Sequence, residues 1–129
     1  MFTTLDRSNY LKGLLILASQ DRRLVDNERD IIRGVAQKFG FSRDFYEDTL
    51  RNLMSNKYIK DDPFKFSSRE VAESFLSDGF SLALSDNLMD SAELSWLKKI
   101  AAMNEITEEN FNDLLNEFIK SKDGQRLVN

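Results

Sequence analysis

An internal repeat constrains the fold of this chain more than any other sequence feature. Residues 10–54 align without a gap on residues 75–119, at an offset of 65 positions. The aligned pairs that are identical are Leu11/Leu76, Leu17/Leu82, Ala18/Ala83, Asp21/Asp86, Glu28/Glu93, Ala36/Ala101, Asp48/Asp113 and Leu50/Leu115. Because self-similarity at a fixed period is typical of a structural unit that occurs more than once, we expect two similar halves.

The apolar residues within each copy recur at helical spacing. In the first copy they fall at i, i+3, i+4 and i+7, as in Leu11, Leu14, Leu15 and Ala18, and no segment alternates as a strand would. Ser42 and Thr107 stand just before the third apolar stretch of each copy, where they are predicted to cap a helix. The fold class we predict is therefore all-α, with two tandem three-helix units.

The domain organisation follows from the same alignment. We predict a single domain over residues 1–129, with repeat 1 at 5–55, a joint at 56–66 and repeat 2 at 67–122. Pro63 disfavours helix in the joint. The joint also carries Tyr58, Ile59, Phe64 and Phe66. These side chains are expected either to pack between the two halves or to form a docking edge for a partner.

Ser67 and Glu70, three residues apart, have the spacing of a capping box. They predict the start of the helix that follows the joint.

Composition excludes several kinds of chemistry. The chain has no His and no Cys, so it can form neither a Ser-His-Asp triad nor a thiolate zinc site. With 18 basic against 22 acidic residues, it lacks the charge excess of a nucleic-acid-binding surface. The longest apolar run, within residues 11–18, is far shorter than the ~20 residues of a membrane helix. We expect a cytoplasmic protein that is not an enzyme, binds no nucleic acid and does not insert into membranes.

The stretch from Leu17 to Ile32 resembles the signature of the TerB-like family, small helical proteins associated with tellurite resistance and general stress. In that signature an apolar helix ends in Ala-Asp, and an acidic residue opens the next helix. Asp21 and Glu28 match these acidic positions, and Asp86 and Glu93 match them again in the second copy. The glycine that follows the Asp in the family is replaced in both copies, by Arg22 and Asn87.

The resemblance implies an all-helical, non-enzymatic domain, of which a related copy occurs in a DnaJ-type co-chaperone. It also implies that the acidic positions bind a cation. The function we predict is an interaction or adaptor module that binds a protein partner and is linked to tellurite or the general stress response; a homodimer is a further option. The alternative is a sensor of divalent cations.

The paired acidic residues would form the cation site. The two residues of each pair are seven positions apart, across a predicted short loop between two helices. Hard cations such as Ca²⁺ or Mg²⁺ prefer oxygen ligands. The candidate ligands are Asp86, Asn87, Asp90 and Glu93 in the second copy and Asp21 and Glu28 in the first. The spacing does not match an EF-hand. Alternatively, these carboxylates stabilise helix N-termini and loop amides without any metal.

The two copies differ in their apolar content. Leu84 and Leu94 replace Ser19 and Arg29 of the first copy, and Trp96 replaces Ile31. This additional apolar surface either packs against the first half (residues 1–64) or is exposed for a protein partner or a second copy. In the second case Leu84, Leu94 and Trp96 would bind the partner, because large aromatic side chains commonly anchor interfaces.

One basic cluster stands out. It comprises Arg22, Arg23, Arg29 and Arg33, with the last two one turn apart on a predicted helix. The cluster is either a solvated face or a weak site for an anionic partner. The first half carries a net charge of +1 and the second half (residues 65–129) a net charge of −5.

Overall fold

The computed structural model describes the chain in four segments, and the side chains of most residues within them. The backbone is described for residues 2–19, 26–55, 62–84 and 91–128. The side chains are described for residues 2–18, 29–48, 51, 62–84 and 91–121. These segments contain helices and no strand: α1 (Thr4–Ser19), α2 (Asp26–Lys38), α3 (Arg43–Ser55), α4 (Arg69–Ala83), α5 (Ser91–Met103) and α6 (Glu108–Val128). The prediction of an all-α fold is confirmed.

The helix starts of the two halves differ by the offset of the sequence repeat. Helices α1, α2 and α3 begin at residues 4, 26 and 43, and α4, α5 and α6 begin at residues 69, 91 and 108. Each start in the second half thus lies 65 positions after its counterpart. The third helices differ in length, since α6 has 21 residues and α3 has 13.

Helices α2 and α5 end in the same way. Gly40 and Glu105, which are equivalent in the repeat, have positive φ angles of 82° and 63°. The N–H of the following residue donates to the carbonyl five residues earlier, as Phe41 to Ala36 and Ile106 to Ala101, both at 2.9 Å. Gly40 and Glu105 themselves donate to the carbonyls three residues earlier, at 3.1 and 3.2 Å. This is the Schellman pattern, in which a left-handed residue closes a helix.

The following helices also start alike. The Ser42 side-chain oxygen accepts from the Phe45 N–H at 3.2 Å, and that of Thr107 accepts from the Asn110 N–H at 3.1 Å. Both predicted caps are confirmed, because each hydroxyl pairs with an amide that has no partner within its helix.

Helices α1 and α4 pack against each other at the centre of the fold. Helix α1 also contacts α2, α3 and α5, and α4 also contacts α2, α5 and α6. The rings of Tyr10 and Phe75 meet edge to face between them, with centroids 5.2 Å apart. Both side chains are fully buried. A Cβ on Gly13 would lie 2.7 Å from the Phe75 ring, so glycine permits the close approach at this point.

The Tyr10 hydroxyl links the two halves across this contact. It donates to the Asp78 carboxylate and lies 3.1 Å from the Ser74 hydroxyl, both on α4. Burial, and then the neighbouring negative charge of Asp78, raise the pKa of Tyr10. The phenol therefore remains a neutral donor inside the core.

The aromatic side chains of the joint pack into the same core. Phe66 lies 5.2 Å from Phe75 and 6.0 Å from Tyr10 between ring centroids, and Phe64 lies 6.2 Å from Trp96. The expectation that the joint packs between the halves is confirmed for Phe64 and Phe66. Tyr58 and Ile59 lie outside the described residues.

A buried carboxylate at the start of α1 binds Ser67, the residue that follows the joint. The side chain of Asp6, 2% exposed, accepts from the Ser67 N–H at 2.9 Å, from the Ser67 hydroxyl and from the Thr3 N–H at 3.0 Å. Thr3 in turn accepts from the Asp6 N–H, which completes a capping box at α1. Burial alone would raise the pKa of Asp6, but the hydrogen bonds from Ser67 and Thr3 outweigh it and lower that pKa.

The predicted capping box at Ser67 and Glu70 is wrong by one residue. Ser68 caps α4, and its side chain accepts from the Val71 N–H at 3.2 Å. The reason is that Ser67 is bound by Asp6, 61 positions earlier in the chain. A local motif is thus displaced by a long-range hydrogen bond.

Asn104 binds the same end of the joint, at Phe64 and Phe66. Its side-chain oxygen accepts from the Phe66 N–H at 2.8 Å, and its amide donates to the carbonyls of Phe64 and Ile100 at 3.0 and 2.8 Å. Residues 62–66, the described part of the joint, are therefore held by a side chain of the second half, and Asp6 of the first half binds the next residue, Ser67.

Candidate functional site

An apolar groove between α5 and α6 is the strongest candidate site among the described residues. Leu94 from α5 and Phe111 and Leu115 from α6 provide its apolar lining. Ser91, Ser95, Lys98 and Asn112 complete the lining. The groove encloses about 420 Å³. An apolar cleft with a few polar groups at its edge is the usual form of a binding site.

Helical spacing accounts for the groove. Phe111 and Leu115 are one turn apart on α6 and present the same face to α5. Phe111 is buried, Leu115 is half-buried and Leu94 is 9% exposed. Ser91, Ser95 and Lys98 lie on successive turns of α5 and are exposed. The groove thus has an apolar floor and a polar edge.

Lys98 places a positive charge over this floor. Its Nζ lies 6.0 Å from the centre of the Phe111 ring and 3.8 Å from a carboxylate oxygen of Glu108. The side chains of Lys98 and Glu108 are 50% and 77% exposed, so this ion pair is weak. The ammonium group therefore remains open to water and to a ligand.

The equivalent surface of the first half carries an ion pair instead. Arg33 and Glu47 are the counterparts of Lys98 and Asn112, and the Arg33 Nε donates to Glu47 Oε1 at 2.8 Å. This hydrogen bond, from α2 to α3, lowers the pKa of Glu47 and raises that of Arg33. The apolar groove residue Leu94 corresponds to the exposed Arg29. Positions that are equivalent in the sequence alignment therefore differ in surface chemistry between the two halves.

A second cavity, of about 290 Å³, lies over the joint. Its lining residues are Lys65, Phe66, Ser67, Ser68, Arg69, Asn104 and Glu105. Three of its polar side chains already bond within the protein: Ser67 to Asp6, Ser68 to Val71 and Asn104 to Phe64 and Phe66. The polar side chains of this cavity therefore serve to hold the joint and the start of α4, and we do not consider it a candidate binding site.

Exposed large hydrophobic side chains lie away from the groove. In the described part of the chain they are Leu5, Phe45 and Met103, which are 68%, 52% and 42% exposed. They belong to three different helices, α1, α3 and α5, and none of them lines the groove. Scattered residues of this kind are normal on a soluble surface.

The predicted partner-binding residues are not exposed. Trp96 is 2% exposed, Leu84 8% and Leu94 9%. The Trp96 ring meets Phe64 from the joint and Phe75 from α4, each at 6.2 Å between centroids. Of the two alternatives for this surface, the exposed patch centred on Trp96 is therefore wrong, because the joint and α4 cover that face of α5. Of the three residues, Leu94 alone lines the groove.

The structure leaves most of the predicted cation ligands undescribed. Asp21, Asp86, Asn87 and Asp90 lie outside the described residues, and Glu28 lies in α2 with its side chain undescribed. Glu93 is in the first turn of α5 and is 2% exposed. Within the described segments no group of three or more acidic side chains is close enough together to hold a metal ion.

The basic cluster is only partly described. Arg29 is exposed, and Arg33 is bonded to Glu47 and lies 3.8 Å from Asp30. Arg22 and Arg23 lie outside the described residues. Arg33 already forms an ion pair with Glu47, so Arg29 is the main group in the described part of the cluster that could bind an anion.

Sequence reasoning missed the groove itself, although it singled out Leu94. The signal lay in comparing the two copies at charged positions. Arg29 and Glu47 of the first copy are replaced by Leu94 and Asn112 in the second. The second copy thus lacks one positive and one negative charge at the positions that line the groove.

Comparison of the chain with protein-family models, with curated proteins and with solved structures finds no significant match. None of the helices in the four described segments has both the length and the apolar character that crossing a membrane requires.

Proposed function

We propose that this protein is a non-enzymatic interaction module and that the α5–α6 groove is the surface that binds its protein partner. The observation that carries the proposal is the apolar floor of Leu94, Phe111 and Leu115 beside an exposed Lys98. Grooves between two helices commonly receive the apolar face of a partner segment. The first half has a charged pair at the same position, so the groove is a feature of the second half rather than of the helical framework.

The proposed architecture is two tandem three-helix units with a TerB-like arrangement. Its support is the common offset of all three helix starts, together with the matching helix ends at Gly40 and Glu105. A role linked to tellurite or to general stress rests on the sequence resemblance alone. The proposed lack of enzymatic activity rests on the absence of His and Cys from the sequence.

The groove is tested with an obstructing variant. Ser95→Arg introduces a long side chain at an exposed lining position, and Ser77→Arg makes the same change at an exposed position of α4 outside the groove. Proteins captured from the cells that make this chain are compared quantitatively among the wild type and the two variants. We expect Ser95→Arg to lose a partner that Ser77→Arg retains. Equal capture by all three proteins would contradict the groove as the binding surface.

A second candidate function is the sensing of a divalent cation, Ca²⁺ or Mg²⁺. Its support is the recurrence of the acidic pair as Asp21/Glu28 and Asp86/Glu93, and the buried position of the Glu93 carboxylate at the start of α5. A hard cation would use such carboxylate oxygens together with loop oxygens. A cation bound by Asp86 and Glu93 would link residues on either side of the start of α5, the helix that forms one wall of the groove.

The cation hypothesis is tested by thermal unfolding of metal-stripped protein with each ion in turn. An ion at 100 times its Kd stabilises the folded state by about 2.7 kcal/mol. The stabilisation should vanish in the variant Asp86→Asn/Glu93→Gln and persist in Asp113→Asn, which changes an exposed acidic residue of α6. An unchanged melting temperature with every ion would contradict cation binding by the acidic pairs.

A further inference from the structure

The charge pattern of the groove specifies its ligand more closely than its apolar floor does. Among the seven residues that line it, Lys98 is the only charged one, and Ser91, Ser95 and Asn112 are neutral. A ligand that covers the floor must therefore lie beside one ammonium group. If the ligand brought no carboxylate, this ammonium would lose water and keep only its long, exposed ion pair with Glu108, which is unfavourable.

The first half shows which group complements a cation at this position. There, Arg33 on α2 receives the carboxylate of Glu47 from α3 at 2.8 Å. In the second half the equivalent of Glu47 is Asn112, whose neutral amide cannot supply the charge. The described ion pair of Lys98 is the exposed one with Glu108 at 3.8 Å. The carboxylate that completes the pair in the first half is thus the group that a ligand would have to bring to the second.

The walls of the groove favour a helix as the ligand. They are two helices whose backbone groups bond internally, and the described segments contain no strand edge to which an extended peptide could add. Leu94, Phe111 and Leu115 give an apolar floor between two helices, and the apolar face of a partner helix, with side chains at i, i+3 or i+4, is the usual occupant of such a groove.

We propose that the α5–α6 groove binds an amphipathic helix of a partner protein, with apolar side chains on the floor and an Asp or Glu against Lys98. This inference rests on the proposed function, since it names the partner of the same groove. The carboxylate of the partner takes the role that Glu47 has in the first half. Specificity comes from this charge, because apolar side chains alone discriminate weakly among partners.

The test uses a displayed library of helical peptides on an alanine-rich scaffold, with the positions of one face randomised. Peptides are selected on the wild-type protein and then measured against Lys98→Glu and Lys99→Glu. Both variants reverse one charge at an exposed position of α5, but only Lys98 lines the groove. We expect the selected peptides to carry an Asp or Glu one turn from their apolar residues. Their affinity should fall at least tenfold with Lys98→Glu and less than threefold with Lys99→Glu.

The outcomes separate this inference from the proposed function. Peptides that lose binding with Ser95→Arg but carry no acidic residue, or respond equally to both charge reversals, would overturn the carboxylate while keeping the groove. A library that yields no peptide sensitive to Ser95→Arg would overturn both. Sedimentation of the wild type as a dimer that Ser95→Arg dissociates would replace the partner helix with a second copy of this chain, and the inference would be wrong.

Discussion

The matching ends of α2 and α5 predict that glycine substitutions in the two halves have opposite effects on stability. Gly40 and Glu105 both have left-handed backbone angles, 82° and 63° in φ. Such a conformation costs a residue that carries a Cβ about 1–2 kcal/mol. Glycine avoids this cost but loses about 0.5–1 kcal/mol more conformational freedom on folding. The difference favours glycine at both positions by about 1 kcal/mol.

The substitutions to compare are Gly40→Ala and Glu105→Gly. A Cβ on Gly40 would have no atom within 4 Å, so the cost of Gly40→Ala comes from the backbone alone. We expect Gly40→Ala to lower the free energy of unfolding by about 1 kcal/mol and Glu105→Gly to raise it by about the same amount. For a domain of this size, each change corresponds to a shift of about 4 °C in melting temperature.

The control is Glu105→Ala, which removes the carboxylate and keeps the Cβ. Because the backbone strain remains, its melting temperature should stay close to that of the wild type. All four proteins are compared by thermal unfolding at one pH and salt concentration. A Glu105→Gly protein no more stable than Glu105→Ala, or a Gly40→Ala protein as stable as the wild type, would refute the reasoning that both helices end in a left-handed residue.

Three further substitutions test the core and its buried polar groups. Trp96→Ala should destabilise the fold by about 3–5 kcal/mol in denaturant unfolding, because Trp96 is buried; a loss below 1 kcal/mol would place it on the surface. Asp6→Asn should reduce the acid sensitivity of the fold. The lowered pKa of Asp6 stabilises the folded state above pH 3.8, and this contribution is lost as the pH falls further; an unchanged acid profile would contradict the role of the carboxylate. Tyr10→Phe should lower the free energy of unfolding by about 1–2 kcal/mol at neutral pH. Above pH 10, where the unfolded tyrosine ionises, the free energies of unfolding of the variant and the wild type should approach each other. A difference in free energy that stays constant with pH would refute the raised pKa of Tyr10.

Local sequence signals predicted the helices well. The apolar spacing indicated an all-helical chain, and Ser42 and Thr107 cap α3 and α6 as predicted. These features depend on residues within one or two turns of each other, so the sequence alone contains the physics that decides them. The alignment of the two copies adds information of the same kind, since the helix starts of each half predict those of the other.

Contacts between distant residues were harder to predict. Ser67 has the spacing of a helix cap, but Asp6 binds it from 61 positions away, and Ser68 takes the capping role. Trp96 has the character of an interface anchor, but Phe64 and Phe75 cover it. In both cases the local pattern is compatible with two environments, and only the packing of the halves selects one of them.

The candidate site shows the same limit in another form. Leu94 was recognisable as an apolar residue in the place of Arg29, but the groove also needs Phe111 and Leu115 from a different helix. The replacement of Glu47 by Asn112 shows that the second half lacks a carboxylate at this position, but the importance of that carboxylate depends on its ion pair with Arg33. That ion pair became visible only in the structure.

The central claim is that the groove of the second half binds a ligand because it lacks the ion pair of the first half. The variant Lys98→Arg/Asn112→Glu restores that pair at two exposed positions. The most direct measurement is the affinity of a selected acidic helical peptide for this variant and for the wild type. We predict that the variant loses affinity for the peptide at least tenfold, because the new carboxylate at position 112 forms an ion pair with the cation at position 98 and covers the apolar floor. Its melting temperature should be equal to or above that of the wild type. Unchanged affinity in a folded variant would contradict the claim.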